Sequence, residues 1–249
     1  MNGKLTPAEL MTVAAARELR SDQSCLVGVG RPSLAAMLAK RTHAPGLVLI
    51  YESGAIGADP DVVPLSIGDS ELAATATAVV PVTEMFNYWL QPGRVSVGFL
   101  GAAQIDRFGS LNTTVIGSYE EPTVRLPGAG GAPEIAASCE EVVVIVPHSP
   151  RAFVAELDFT TSVHGGSRSG RVGGPGGRLS VVTDLGLLRA EGPDGELVLT
   201  AVHEGVEIAE VRDATAWPLL VSDRLGVLPP PSEVEAAVLR RLTGEAANQ

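Results

Sequence analysis

Leu47-Val48-Leu49-Ile50-Tyr51-Glu52-Ser53-Gly54 sets five apolar residues in a row and then breaks off at a carboxylate followed by two small residues. A run without polar alternation suits a strand buried on both faces, and the abrupt change puts Glu52 at the point where that strand stops. Upstream, Cys25-Leu26-Val27-Gly28-Val29-Gly30 has the same form, a short apolar run ending in glycines. Ser33 to Arg41, between the two runs, reads as a helix. Apolar runs separated by helices predict an α/β fold with an open, largely parallel sheet flanked by helices. Val95 to Leu100, Val142 to Val146 and Leu179 to Thr183 are further candidate strands. Both ends of the chain read as helical. Thr6-Pro7-Ala8-Glu9 has a capping residue, a proline suited to the first helical position and the glutamate of a capping box. Leu10, Val13, Ala14 and Arg17 to Leu19 continue the helical period. Ser232 and Glu235 form a second capping box after Pro229-Pro230-Pro231. The Gly165 to Gly177 stretch reads as a surface loop, because strand-like sequence resumes directly after it. Residues 1–249 are read as one domain.

The chain has 249 residues, with 18 Lys or Arg against 29 Asp or Glu, a formal charge of −11. At 45% hydrophobic and 19% charged it is too apolar for a disordered chain. The acidic balance argues against nucleic acid or an anionic membrane as partner, since both require a basic surface. Cys25 and Cys139 alone make no disulfide framework or four-cysteine zinc site, and His43, His148, His164 and His203 are scattered, so no metal is expected. Glu9, Arg17 and Glu18 interrupt any signal-peptide core, and no apolar run approaches the roughly 20 residues needed to span a bilayer. The expected location is the cytoplasm.

Three places offer chemistry. Glu52, flanked by Ser53 and Gly54, lies at the carboxyl end of a predicted strand, where ligand crevices of open sheets form. On position alone it reads either as a substrate-facing carboxylate or as a cap or surface ion-pair partner. Pro127-Gly128-Ala129-Gly130-Gly131-Ala132-Pro133 matches neither a P-loop nor GxGxxG, and stands between a plain turn and a nest of backbone N–H groups. Asp106 to Gly109 suits a type I turn between segments carrying Gln104 and Asn112, whose amides serve either the local backbone or a ligand.

Taken in order, Tyr51-Glu52-Ser53-Gly54, Phe99-Leu100-Gly101-Ala102-Ala103-Gln104-Ile105-Asp106 through Asn112, Gly117-Ser118-Tyr119, Arg125 through Gly131 and Val181-Val182-Thr183-Asp184-Leu185-Gly186 resemble the family I coenzyme A transferases. The resemblance is to the beta subunit of the glutaconate CoA-transferase type and covers most of the chain. It implies that Glu52 is the nucleophile, forming first an acyl–glutamyl anhydride and then a glutamyl-CoA thioester in a ping-pong cycle. It further implies that Gly128, Ala129, Gly130 and Gly131 lie at the oxyanion or CoA-binding position. Ser53, Gly54, Gln104 and Asn112 are candidate substrate contacts. No permanently bound cofactor is implied, the coenzyme A thioester being a substrate.

Single-chain members of the family are about twice this length, so the resemblance implies a separate alpha subunit of similar fold, in a heterodimer, heterotetramer or larger assembly with the active site at the interface. Relatives of the same fold hydrolyse a carbon–carbon bond or decarboxylate a CoA thioester and depart from the pattern at the ESG position; Glu52 is retained here, which favours transfer. The alternatives are a hydrolase, carbon–carbon bond hydrolase or decarboxylase using Glu52 as general base, or a non-catalytic stabilising subunit. The acid is expected to be a dicarboxylate or a 3-oxo acid; for the distal carboxylate of a dicarboxylate, Arg31, Arg107 and Arg125 are candidate cations, unless the partner supplies one.

Overall fold

Short, mostly buried strands form where the sequence runs apolar without alternation. The computed structural model describes residues 5–163 and 177–244. Most of the Gly165 to Gly177 stretch, 165–176, therefore lies outside the described residues. The chain divides into two compact units, Met1–Phe99 with Pro230–Gln249, and Leu100–Pro229.

In the first unit, β1 (Ser24–Val27) pairs in parallel with β2 (Val48–Tyr51), with Val27 opposite Tyr51. β2 continues antiparallel into β3 (Ala55–Ile56), and β3 into β4 (Ala78–Val79), the outermost strand. β5 (Val97–Leu100) flanks β1 in parallel on its other side. Cys25, Leu26, Val27, Leu49, Ile50 and Tyr51 are almost wholly excluded from solvent, the signature of a sheet covered on both faces. α1 (Pro7–Ala16) starts with the expected capping box and packs on α2 (Arg31–Lys40). It stops at Ala16, short of the expected Leu19. Arg17 caps it instead and turns its guanidinium onto Glu235, at 2.8 and 2.7 Å, and onto the Pro230 carbonyl. Glu235 also closes the capping box of the C-terminal helix Glu233–Leu242 through Ser232. Burial alone would raise the Glu235 carboxyl, but the bonds from Arg17 and Ser232 outweigh it and hold the group at about 2.

In the second unit, Glu141–Ile145 and Arg178–Val182 pair in parallel, followed antiparallel by Gly186–Ala190 and Leu197–His203. Leu220–Leu228 closes the edge in parallel. The observed sheets are therefore mixed, with parallel pairs and antiparallel extensions, and helices flank them as expected for α/β. Buried beside this sheet, the His148 ring stacks on Phe153 at 3.7 Å, and Phe153 stacks on Trp217. The Thr215 hydroxyl donates to the Val211 carbonyl, so it accepts from His148 Nε2–H at 2.9 Å. His148 Nδ1 is then the bare nitrogen. It faces the Thr183 hydroxyl at 3.2 Å, whose proton also lies within reach of the Gly186 carbonyl. This is the neutral imidazole, and burial pushes its pKa down to about 4 despite the nearby Asp184 carboxylate.

Candidate active site

In the first unit the site is built at the end of β2. Gly54 N–H donates to the Tyr51 carbonyl at 2.9 Å, closing a tight turn with Glu52 and Ser53 at its apex. Gly54 has φ +99°, and a Cβ there would lie 1.8 Å from the Val80 carbonyl oxygen. Glycine is thus required on both counts, by a left-handed backbone and by the passing strand. The Gly54 carbonyl in turn accepts from Val80 N–H at 3.0 Å, which fixes the turn against the residue after β4. Ser53 borders a small hollow of about 140 Å³ with Ile67, Asp69, Leu72 and Val79.

Glu52 itself is partly buried, and its carboxylate makes no hydrogen bond or ion pair with any described residue. Burial raises its pKa above the ordinary carboxylate value. A carboxylate partly stripped of water and lacking a neutralising partner is more nucleophilic than a solvated one, because less hydration is lost as it attacks.

The parallel register places Gly28-Val29-Gly30, just beyond β1, at the same end of the sheet as Glu52. Gly30 has φ +81°, both glycines face open space, and α2 begins at Gly30 without a side-chain cap. Arg31, its first residue, is exposed beside these strand ends. In the sequence these glycines read only as a strand terminator. The signal available was the strand–glycine–helix order next to a parallel neighbour carrying Glu52.

The second unit carries the glycine loop. Gly128 N–H donates to the Thr113 carbonyl at 2.9 Å, and Thr113 Oγ1 donates to the Gly128 carbonyl at 2.8 Å. Gly128 and Gly130 have φ of +101° and +50°. Ala129 and Gly130 are exposed, and the N–H groups of Ala129, Gly130 and Gly131 find no acceptor among the described residues. Three successive free amides suit an oxyanion or phosphate oxygen.

Gln104 and Asn112 are brought together as register partners in a short hairpin, and both are buried. Asn112 Nδ2 donates to Gln104 Oε1 and to the Val115 carbonyl, both at 2.7 Å, and its Oδ1 accepts from Thr114 and Val115 amides. Gln104 Nε2 donates to Asp158 Oδ2 at 3.0 Å, and that carboxylate also accepts from Gly117 N–H. These amides hold the turn that carries Thr113, and Thr113 holds Gly128. Arg125 lies over the Tyr119 ring and donates to the Tyr119 carbonyl, while Arg107 covers the Phe108 ring at 4.7 Å. Cys139 is buried with its thiol pushed up to about 12, which makes it unreactive. Among the described residues no cluster of acids, histidines or cysteines could hold a metal ion, and no helix is long and apolar enough to cross a membrane.

The coenzyme A transferase family profile matches residues 8–214. The chain is 52% identical over 243 residues to the beta subunit of the 3-oxoadipate CoA-transferase of Pseudomonas knackmussii, covering 96% of this chain and 94% of the relative. The crystal structure of glutaconate coenzyme A-transferase from Acidaminococcus fermentans superposes with a TM-score of 0.88 at 30% identity, covering 99% of this chain and 98% of that one. The decarboxylase AibA/AibB follows at TM-score 0.82 and 26% identity, covering 96% and 95%.

Proposed function

This chain belongs to the family I coenzyme A transferases as a beta subunit, and from that premise we propose that it carries CoA on Glu52, working in the cytoplasm with an alpha subunit of similar fold. The observation that carries the reading is the unpartnered, partly buried Glu52 carboxylate held at a turn apex by a glycine that no other residue can replace. The two compact units act as one functional domain in this reading.

The cycle begins as the Glu52 carboxylate adds to the thioester carbonyl of an acyl-CoA. Collapse of the tetrahedral intermediate breaks the carbon–sulfur bond, expels CoA thiolate and leaves an acyl–glutamyl anhydride. The thiolate then adds to the Glu52 carbonyl and expels the first carboxylic acid as its anion, leaving a glutamyl-CoA thioester. An acceptor carboxylate runs both steps in reverse, departs as its CoA ester and restores Glu52. The anhydride conserves the activation of the thioester, so neither ATP nor a resident cofactor is needed. The Ala129, Gly130 and Gly131 amides are assigned, as a feature of the second unit by itself, to an anionic oxygen, an oxyanion or a CoA phosphate. Gln104 and Asn112 serve as positioning residues for that loop, while Ser53 contacts substrate.

The acceptor is assigned as 3-oxoadipate, on the strength of the relative at 52% identity. One end of this diacid reacts, and the other needs a cation. Arg31 is the assigned partner, being exposed, free of a described partner and at the same strand ends as Glu52. The test is steady-state transfer by the alpha–beta complex. Arg31→Gln should raise KM for 3-oxoadipate about 10–100-fold, the worth of a charge-assisted bond, and leave a monocarboxylic 3-oxo acid unaffected. An equal effect on both acceptors would remove Arg31 from the assignment, and faster turnover of glutaconate than of 3-oxoadipate would remove the acceptor.

A further inference from the structure

Within the second unit, Leu111 and Ser162 pair as antiparallel neighbours, Leu111 N–H donating to the Ser162 carbonyl at 2.8 Å and Ser162 N–H returning the bond at 3.2 Å. A regular antiparallel ladder repeats that exchange two residues further on, here between Thr113 and Thr160. The exchange does not occur. Thr113 N–H donates instead to the side-chain hydroxyl of Thr161, at 2.9 Å. That frees the Thr113 carbonyl, which accepts from Gly128 N–H at 2.9 Å, while Thr113 Oγ1 donates to the Gly128 carbonyl at 2.8 Å. A side chain has replaced a backbone acceptor at the point where the pairing stops, and the displaced residue holds the glycine loop.

The Thr161 hydroxyl is well fixed for this task. Its own residue is anchored by an amide that donates to the Leu111 carbonyl at 2.8 Å, and its side chain is half-buried. Thr114 Oγ1 lies 2.7 Å from it, and whichever of the two hydroxyls donates, Thr161 Oγ1 keeps a lone pair for Thr113 N–H. The Thr114 carbonyl accepts from Leu126 N–H at 3.1 Å, so Thr113 and Thr114 together grip the loop at Leu126 and at Gly128. The Ala129, Gly130 and Gly131 amides follow directly, and any displacement of Gly128 passes to them. Donors aimed at an anionic oxygen work only when held to within about 0.5 Å of the productive geometry.

We propose that Thr161 is a positioning residue for transfer: its hydroxyl withdraws Thr113 from pairing with Thr160 and turns it onto Gly128, which sets the Ala129, Gly130 and Gly131 amides for an anionic oxygen. The proposal rests on the assignment of that loop above and deepens it. Valine at position 161 keeps the shape of the side chain and removes the acceptor. Thr113 N–H then turns to its ladder position opposite the Thr160 carbonyl, and the grip on Gly128 loosens.

The experiment measures transfer of CoA from unlabelled 3-oxoadipyl-CoA to carbon-13-labelled 3-oxoadipate by the alpha–beta complex, with circular dichroism and Tm as controls for folding. Thr161→Val should lower kcat/KM for the thioester about tenfold, a fraction of the loss expected when one oxyanion donor is removed outright. Thr161→Ser keeps the oxygen and should stay within about twofold of wild type. Thr113→Val cuts the same path one bond further on, so the double variant should be no slower than the slower single one. Thr200→Val removes a comparable half-buried bond, from the Thr200 hydroxyl to the Leu187 carbonyl, and should lower Tm without changing kcat/KM. A wild-type rate for Thr161→Val, a Thr161→Ser as slow as Thr161→Val, multiplying effects in the double variant, or an equal loss in Thr200→Val would each overturn the proposal. Gly130→Ala transferring at the wild-type rate would instead overturn the assignment of the loop on which the proposal rests.

Discussion

Glu52 and Glu235 are both carboxylates withdrawn from water, in the same unit of the chain, and they titrate in opposite directions. Glu235 receives a two-pronged guanidinium from Arg17 and two bonds from Ser232, and sits at about 2. Glu52 receives nothing from the described chain, and burial raises it. A buried charge with full hydrogen bonding helps hold the fold; a buried charge left without partners costs stability and survives only where that cost serves chemistry. The contrast separates a structural acid from a reactive one without reference to any relative.

The largest effect expected from breaking this contrast is kinetic. Glu52→Gln keeps the size of the side chain and removes the nucleophilic charge, so transfer by the assembled enzyme should fall at least about a thousandfold, or about 4 kcal/mol in the barrier. The same change should slightly raise Tm at neutral pH, because it relieves an uncompensated buried charge; a lower Tm would put a hidden partner beside Glu52. Gly54→Ala should both unfold the turn and abolish transfer, since the added carbon meets backbone at 1.8 Å, with a stability loss of about 3 kcal/mol or more read from urea unfolding.

Glu235→Ala inverts the comparison. It removes a cap and strands Arg17, and should cost about 2 kcal/mol in stability while leaving kcat of the surviving folded enzyme near wild type. The pH dependence of unfolding sharpens the point. Glu235 has a folded pKa below its unfolded value, so its contribution is complete above the unfolded value near 4.5 and fades as pH falls toward about 2. His148 acts earlier. Its folded pKa of about 4 lies below the ordinary 6.5, so the unfolded chain binds the proton first, and stability drops as pH falls from 6.5 to 4. On the order of 3 kcal/mol is at stake in that upper window. His148→Gln should flatten the stability curve between pH 6.5 and 4 and leave the lower limb intact. The smallest effect is expected at Gly130, where φ of +50° is open to Ala with modest strain: about 1 kcal/mol in stability and a several-fold loss of kcat.

Much of this was legible in residue order because it depends on local chemistry. The two capping boxes needed only Thr6 with Glu9 and Ser232 with Glu235, and both helices start there. Buried strands announced themselves as runs without alternation, to within two residues at β2 and β5 and within three at β1. The Asp106–Gly109 turn forms as expected, Asp106 Oδ1 accepting from Phe108 and Ser110 amides. What escaped depended on contacts distant in sequence. Nothing near Arg17 marks it as the partner of Glu235, in a helix more than 200 residues away. Gln104 and Asn112 stood open between the local backbone and a ligand because Asp158, which takes the Gln104 amide, lies 54 residues beyond it. The Gly186–Ala190, Leu197–His203 and Leu220–Leu228 strands mix polar and apolar residues along a sheet edge and carry no clean period. The division into two units is likewise a property of contacts and has no boundary marker in composition.

The central claim, that Glu52 becomes covalently joined to CoA, is tested most directly by mass spectrometry of the alpha–beta complex treated with acyl-CoA and quenched with borohydride. Hydride reduces a glutamyl-CoA thioester to the primary alcohol, so covalent catalysis should yield a peptide containing residue 52 that has exchanged one oxygen for two hydrogens. An unaltered Glu52 peptide while the acyl-CoA is consumed would contradict it and point to a carboxylate acting on water or on a carbon acid as a general base.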